Sequence, residues 1–276
     1  MKKIITILSV CLFFTIGSIA QTDTAFVQVR IMRGDIVEFT VDNLDNVYII
    51  NSRNQLRKFD ANGDSVAVYN DVKKFGQATL IDVSNPLKVL LYYKDFSTVV
   101  ALDRYLNPVN IIDLRKHNIF QAKAIGQSYD NNVWVYDELE NKLKKVDEEG
   151  KLLQETPDFR LLTGKAISPL KLFDENRYVY VYDSTFGVYV FDYFGSLRNN
   201  IMIQQWQNFK VAGKYIFGSR SDRLFRYEIS SFRLDEWKMP PALQNSKAFN
   251  FSGSRLYALM KDCEGNENCI LIYSIR

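Results

Sequence analysis

An apolar, aromatic-rich run recurs six times along the chain: Val47 to Ile50, Val89 to Tyr92, Val133 to Tyr136, Tyr178 to Val181, Tyr215 to Phe217 and Leu256 to Leu259. After a polar turn each is followed by a second run, at Leu56 to Phe59, Val99 to Leu102, Leu143 to Val146, Val188 to Phe191, Leu224 to Tyr227 and Ile270 to Tyr273. The residues closing the second runs are Asp60, Asp103, Asp147, Asp192, Glu228 and Ser274, at steps of 43, 44, 45, 36 and 46 residues. A unit of about 43 residues cannot bury both of its faces alone, so the repeats must stack on one another.

Within one unit the pattern is that of short antiparallel strands. The first reads as Asp35 to Val41, Asn46 to Ile50, Gln55 to Phe59 and Asp64 to Tyr69, rich in β-branched and aromatic residues. Its turns, Asp42 to Asp45, Ser52 to Asn54 and Asp60 to Gly63, carry the Asn, Asp and Gly residues that tolerate positive φ. Pro86, Pro108, Pro157, Pro169, Pro240 and Pro241 all fall between runs, where a missing N–H removes no ladder bond. Six such units predict an all-β fold, a single six-bladed β-propeller of four-stranded antiparallel blades over residues 21–276. The last repeat stops after its third strand, whereas an unassigned strand, Phe26 to Ile31, precedes the first. That N-terminal strand is therefore predicted to close the last blade as its outermost member.

Lys2-Lys3, an apolar run from Ile4 to Ile16 and the small residues Ser18 and Ala20 have the form of a secretory signal peptide over residues 1–20, cleaved after Ala20. The apolar run is too short to span a bilayer, so the mature chain is expected to be exported and unanchored, in the periplasm or else outer-membrane associated or extracellular, with no direct membrane insertion. Removing Lys2 and Lys3 brings the 35 basic residues to near balance with the 32 acidic ones. A nucleic-acid partner, which calls for a basic excess, is not expected. In an oxidising compartment Cys263 and Cys269, five polar residues apart, are expected to form a disulfide pinning a hairpin.

The stretches Asp42 to Ile50 and Leu56 to Gly63, echoed at Asn132 to Tyr136 and Leu143 to Gly150, resemble the six-bladed β-propellers of the NHL and YWTD kind. The resemblance covers about residues 26 to 276 and departs in blades two, five and six, where the closing turn glycine is missing. The leader ending Ile-Ala before Gln21, together with the richness in Tyr and Asn, is similar to exported proteins of Bacteroidota. Propellers of this kind are used as platforms for other proteins and, less often, as metal-dependent hydrolases or lyases. The resemblance thus implies a non-catalytic subunit that binds envelope or outer-membrane proteins. A periplasmic plug or adaptor of a type 9 secretion translocon is one such role.

The residues favour the platform over the enzyme. His117 is the only histidine and sits in an inter-blade connection beside Arg115 and Lys116, where it reads as a surface residue. No G-x-S-x-G, H-E-x-x-H, C-x-x-C or phosphate loop occurs. Asp60 to Asp64 has the look of a calcium loop but lacks the terminal Glu, and reads as a hairpin turn. No cofactor and no metal is expected. The competing lactonase-like reading would use carboxylates at the starts of inner strands, such as Glu38, Asp82 and Asp174.

The turns after the third strands are more informative. Blade two has Tyr105 and Leu106 there, blade four Tyr193 and Phe194, and blade five Phe232, all on one face of a propeller. Tyr193, Phe194 and Phe232, on neighbouring blades, are expected to form an apolar patch for a partner, with Tyr105 and Leu106 as further partner-binding residues on the same face. A glycan-binding surface is the further alternative, since aromatic rings also stack on sugars. Trp206 and Trp237 are placed in the connections after blades four and five, in inter-blade packing.

Overall fold

A computed structural model of the protein describes residues 25–263 and 267–275. Six four-stranded antiparallel sheets stand around one axis, five of them simple meanders. The inner strands are Glu38–Val41, Leu80–Asn85, Ala122–Gln127, Lys171–Glu175, Gln207–Ala212 and Ala248–Ser252. Helical turns are confined to connections, Phe159–Thr163 being the longest. This is the six-bladed β-propeller that the repeats predict. The leader read in residues 1–20 lies outside the described residues.

The second and third strands of the blades read as nearly unbroken apolar runs because both of their faces are covered. Val47–Ile50, Val133–Asp137 and Gly187–Asp192 are buried at every position. Each core cluster lies between two neighbouring blades. Tyr48, Ile50 and Leu56 of blade one meet Val89, Leu91 and Val100 of blade two, and Val41 and Ile49 meet Tyr257, Ile270 and Ile272 of blade six. Full burial of such side chains contributes roughly 1.5 to 3 kcal/mol each, which a single isolated sheet would forgo.

The ring is closed as expected. The N-terminal strand Phe26–Gly34 is the outermost strand of blade six and pairs antiparallel with Glu267–Ile275, from Phe26 opposite Ile275 to Gly34 opposite Asn268. Polar ties cross the seam to blade one: Tyr257 Oη donates to Asp45 at 2.8 Å, Arg255 pairs with Asp45 at 3.1 Å, and Asn268 Nδ2 donates to Ile36 O at 2.7 Å. Cys263 and Cys269 form the expected disulfide across the second hairpin of this blade.

The recurring aspartate has a repeated job. Asp60, Asp103, Asp147 and Asp192 each close a third strand, and one carboxylate oxygen accepts from the backbone N–H groups two and four residues on. The turn's fourth residue has positive φ: Gly63, Gly150 and Gly195 in blades one, three and four, and Leu106 in blade two. The side chain left at each apex is Asn62, Tyr105, Glu149 or Phe194.

Trp206 is buried between blades four and five, stacked on Phe225 at 4.9 Å. Trp237 is not in a connection. It belongs to the outer strand Arg233–Lys238 of blade five and meets Phe26 of blade six edge-on at 5.8 Å. Its alternation with exposed neighbours along the strand turns it toward the seam. His117 is half-buried, with its ring beside Gly150 of blade three.

Candidate functional site: an aromatic turn face

In an antiparallel blade the first and third turns emerge on one end, and the second turn and the link to the next blade on the other. Tyr105, Tyr193, Phe194 and Phe232 therefore share one face, together with the first turns that hold Leu44, Leu87 and Tyr129. Phe194 stands out most, with 87% of its surface exposed, followed by Phe232 at 68% and Tyr129 at 65%. Tyr105, Leu44 and Leu87 are exposed as well.

Leu106, expected at the partner-binding surface, is not there. It is only 2% exposed, and it packs in the core between blades one and two. Positive φ at Leu106 closes the turn, with its N–H donating to Asp103 O at 3.0 Å, and folds the side chain back while Tyr105 at the apex points out. Phe232 also has positive φ, yet its side chain remains outside.

Tyr193 faces inward and serves as a pedestal. Its ring stacks on that of Tyr129 in blade three, centroids 4.3 Å apart and planes 9° from parallel. Its hydroxyl donates to Asp174 at 2.5 Å. The ring contacts of this sector thus run from blade four back to blade three, and no ring contact joins Phe194 to Phe232 among the described residues.

Asp174 is the anchor of that arrangement. Besides Tyr193 it accepts from Trp134 Nε1 at 2.9 Å, Ser128 Oγ at 3.1 Å and Tyr129 N at 3.2 Å. It lies fourth in Lys171–Glu175, at the turn end of the inner strand, and not at its start. There its carboxylate is used up by neighbours, away from any convergence with Glu38 or Asp82. Burial, then the bonded Asp174 carboxylate, pushes the Tyr193 hydroxyl pKa well above its ordinary value.

Lys145 completes the cluster. Its ammonium lies 5.0 Å from the Tyr129 ring centroid and 5.3 Å from that of Trp134, and it is ion-paired with Asp130. Burial raises the Asp130 pKa, but Lys145, Ser128 and Asn132 outweigh it and hold the carboxyl below its usual range. The result is a pair of stacked rings, fixed from below by a carboxylate and a cation, next to the protruding Phe194. Such a surface loses little conformational freedom on binding.

Tyr129 was not among the residues singled out from sequence. The available signal was an aromatic residue inside the otherwise polar turn Ser128 to Asn132. Among the described residues no three His, Cys, Asp or Glu side chains gather as metal ligands would. Nor is any helix there long and apolar enough to cross a membrane.

No protein-family model matches the chain, and no curated protein matches its sequence. Solved structures do match. A streptogramin B lyase is similar at 10% identity with a TM-score of 0.59, over 91% of this chain and 88% of the lyase. Virginiamycin B lyase from Staphylococcus aureus is similar at 13% identity and a TM-score of 0.57, over 91% and 89%. A WD40 domain from Neurospora crassa is similar at 9% identity and a TM-score of 0.58, over 91% and 95%. At these identities the likeness establishes the architecture alone: the chain is a six-bladed β-propeller.

Proposed function

We propose that the protein is a non-catalytic interaction subunit, exported to the periplasm and docked to an outer-membrane or other envelope protein through its aromatic turn face. The observation that carries this reading is Phe194, 87% exposed at a turn apex beside the Tyr129–Tyr193 stack that Asp174 holds in place. An apolar ring kept in water on a rigid mount has the form of a binding anchor. The leader sequence and the near balance of charge support the compartment and speak against a nucleic-acid partner. A plug or adaptor of a type 9 translocon is the specific machine consistent with the style of the sequence.

Neighbours of the same architecture include lyases and a chain of the mitotic checkpoint complex, so the surface and not the fold has to decide. A lactonase-like centre would draw on Glu38, Asp82 and Asp174, of which Asp174 is committed to the pedestal.

The test is affinity purification of tagged protein from detergent-solubilised envelopes, for the wild type and for the double variant Phe194→Ser, Phe232→Ser. A stoichiometric envelope protein recovered with the wild type and lost with the variant is the expected result. Recovery of no partner by the wild type, or undiminished recovery by the variant, overturns the reading.

A further inference from the structure

The channel between the inner strands is a cavity of about 820 Å³, lined by all six blades. Its walls follow from strand alternation. In Gln207–Ala212, Phe209 and Val211 pack between blades four and five, which leaves Lys210 on the opposite side. In Ala248–Ser252, Phe249 and Phe251 pack toward blade five and leave Asn250, and in Glu38–Val41 the same alternation leaves Thr40.

Lys210 reaches across blade six. Its ammonium donates to the backbone carbonyl of Val41 in blade one and to Asn250 Oδ1 at 3.1 Å, while Asn250 Nδ2 donates to Thr40 Oγ1 at 3.2 Å. Both acceptors of Lys210 are neutral. Of the nearby carboxylates, Asp42 accepts from Leu44 N, Asn46 N, Asn46 Nδ2 and Tyr48 Oη, Asp82 from Gln127 N and Ser84 N, and Asp45 from Tyr257 Oη with Arg255 as its ion-pair partner. Lys171, exposed at the first position of the inner strand of blade four, lines the same cavity, and among the described residues it forms no ion pair. On the same walls Leu80, Ile81 and Phe173 are only partly buried.

We propose that the channel binds a small organic anion, a carboxylate or sulfonate with an apolar body, its charged group on Lys210 and Lys171 and its body against Leu80, Ile81 and Phe173. The site is separate from the turn face and stands whether or not that face docks a partner. A half-buried ammonium bonded only to neutral oxygens has no counter-charge in contact with it, and a ligand anion supplies one. Burial, and after it the like charge of Lys171, bring the Lys210 pKa down to about 8 against the opposing pull of Asp42, Asp82 and Asp45. Glu38 also lines the cavity, exposed and with no side-chain partner among the described residues, so multiply charged anions fit less well than monoanions.

The probe is 8-anilinonaphthalene-1-sulfonate, an aromatic monoanion, followed by fluorescence at pH 7 on the full mature chain. N-phenyl-1-naphthylamine, its neutral analogue, is the control. Saturable binding near one per chain is expected, weakened at least tenfold by Lys210→Met and several-fold by Lys171→Gln, with the neutral analogue indifferent to both. The Lys171 side chain is exposed and forms no hydrogen bond or ion pair among the described residues, so Lys171→Gln keeps the proposal testable even where Lys210→Met disturbs folding. Sulfonate binding unchanged in Lys171→Gln, an equal loss for the neutral analogue, or a signal removed by Phe194→Ser instead, each overturns the proposal.

Discussion

The hydroxyl of Tyr193 donates to the carboxylate of Asp174 at 2.5 Å, so a residue from a surface turn is fastened to the inner strand of its own blade. The same carboxylate holds Trp134 and the Tyr129 turn of blade three. Replacing Asp174 by Ala leaves four donors without their acceptor and is expected to cost about 2 to 4 kcal/mol. Phe194→Ser, which touches none of these bonds, should stay within about 0.5 kcal/mol of wild type. Urea melts of the two variants check this. Equal stability of both would show that water replaces Asp174 at no cost.

The disulfide closes a short segment, with Cys263 and Cys269 six positions apart. On the chain-entropy account a loop of that size contributes about 2 kcal/mol. The double variant Cys263→Ser, Cys269→Ser is expected to remain folded and to melt earlier by that amount, while binding at the turn face is retained because the disulfide hairpin lies at the other end of the blade. Calorimetry together with the envelope pull-down reads both.

Removing Phe26–Gly34 strips blade six of its outermost strand and leaves the edge of Glu267–Ile275 unpaired. A ring whose clusters all lie between blades transmits such a loss to both neighbours. The truncated chain should lose its single cooperative transition and associate through the bare edge. Size-exclusion chromatography and thermal melting of the shortened chain are the measurements, and a monomer with an unchanged melt would show that the seam is dispensable.

Stability should respond to alkaline pH in two opposite senses. Lys210 holds its proton up to about pH 8 when folded, against 10.5 for an ordinary lysine. Between those values the unfolded chain carries a proton that the folded chain lacks, so Lys210 makes stability rise with pH there, and below pH 8 its contribution is constant. Burial pushes Tyr180 and Tyr182 up to about 12, so each folded tyrosine keeps a proton that the unfolded chain releases above about 10. Their share of stability is present below that pH and is lost as pH climbs toward 12. Lys210→Met should flatten the rise between pH 8 and 10 in urea melts. Absorbance at 295 nm should show much of the tyrosinate appearing only as the protein unfolds.

Architecture was legible because it rests on periodicity. Runs such as Val47 to Ile50 and Val133 to Tyr136 can be buried on both faces only between stacked sheets, and the spare strand at Phe26 had one open place to go. The closing aspartates were visible too, since an Asx turn is a local device that needs only the residues beside it. The direction of a side chain at a turn was not legible. Leu106 and Phe194 sit one position apart in equivalent turns, yet the first packs in the core and the second stands in water, and positive φ does not by itself decide it, since Phe232 shares it and stays outside.

What the sequence by itself determined is thus the part controlled by short-range pattern: six four-stranded units, their turns, the strand that closes the ring and the cysteine pair. Only the tertiary structure decided that Asp174, Trp134, Tyr129 and Tyr193 meet, and that Lys210 reaches Val41 and Asn250 across the channel. Trp134 and Asp174 are 40 positions apart, and Lys210 and Val41 are 169 apart. Strand alternation says which side of a blade a residue occupies, but the curvature of the closed ring sets which distant blade it faces.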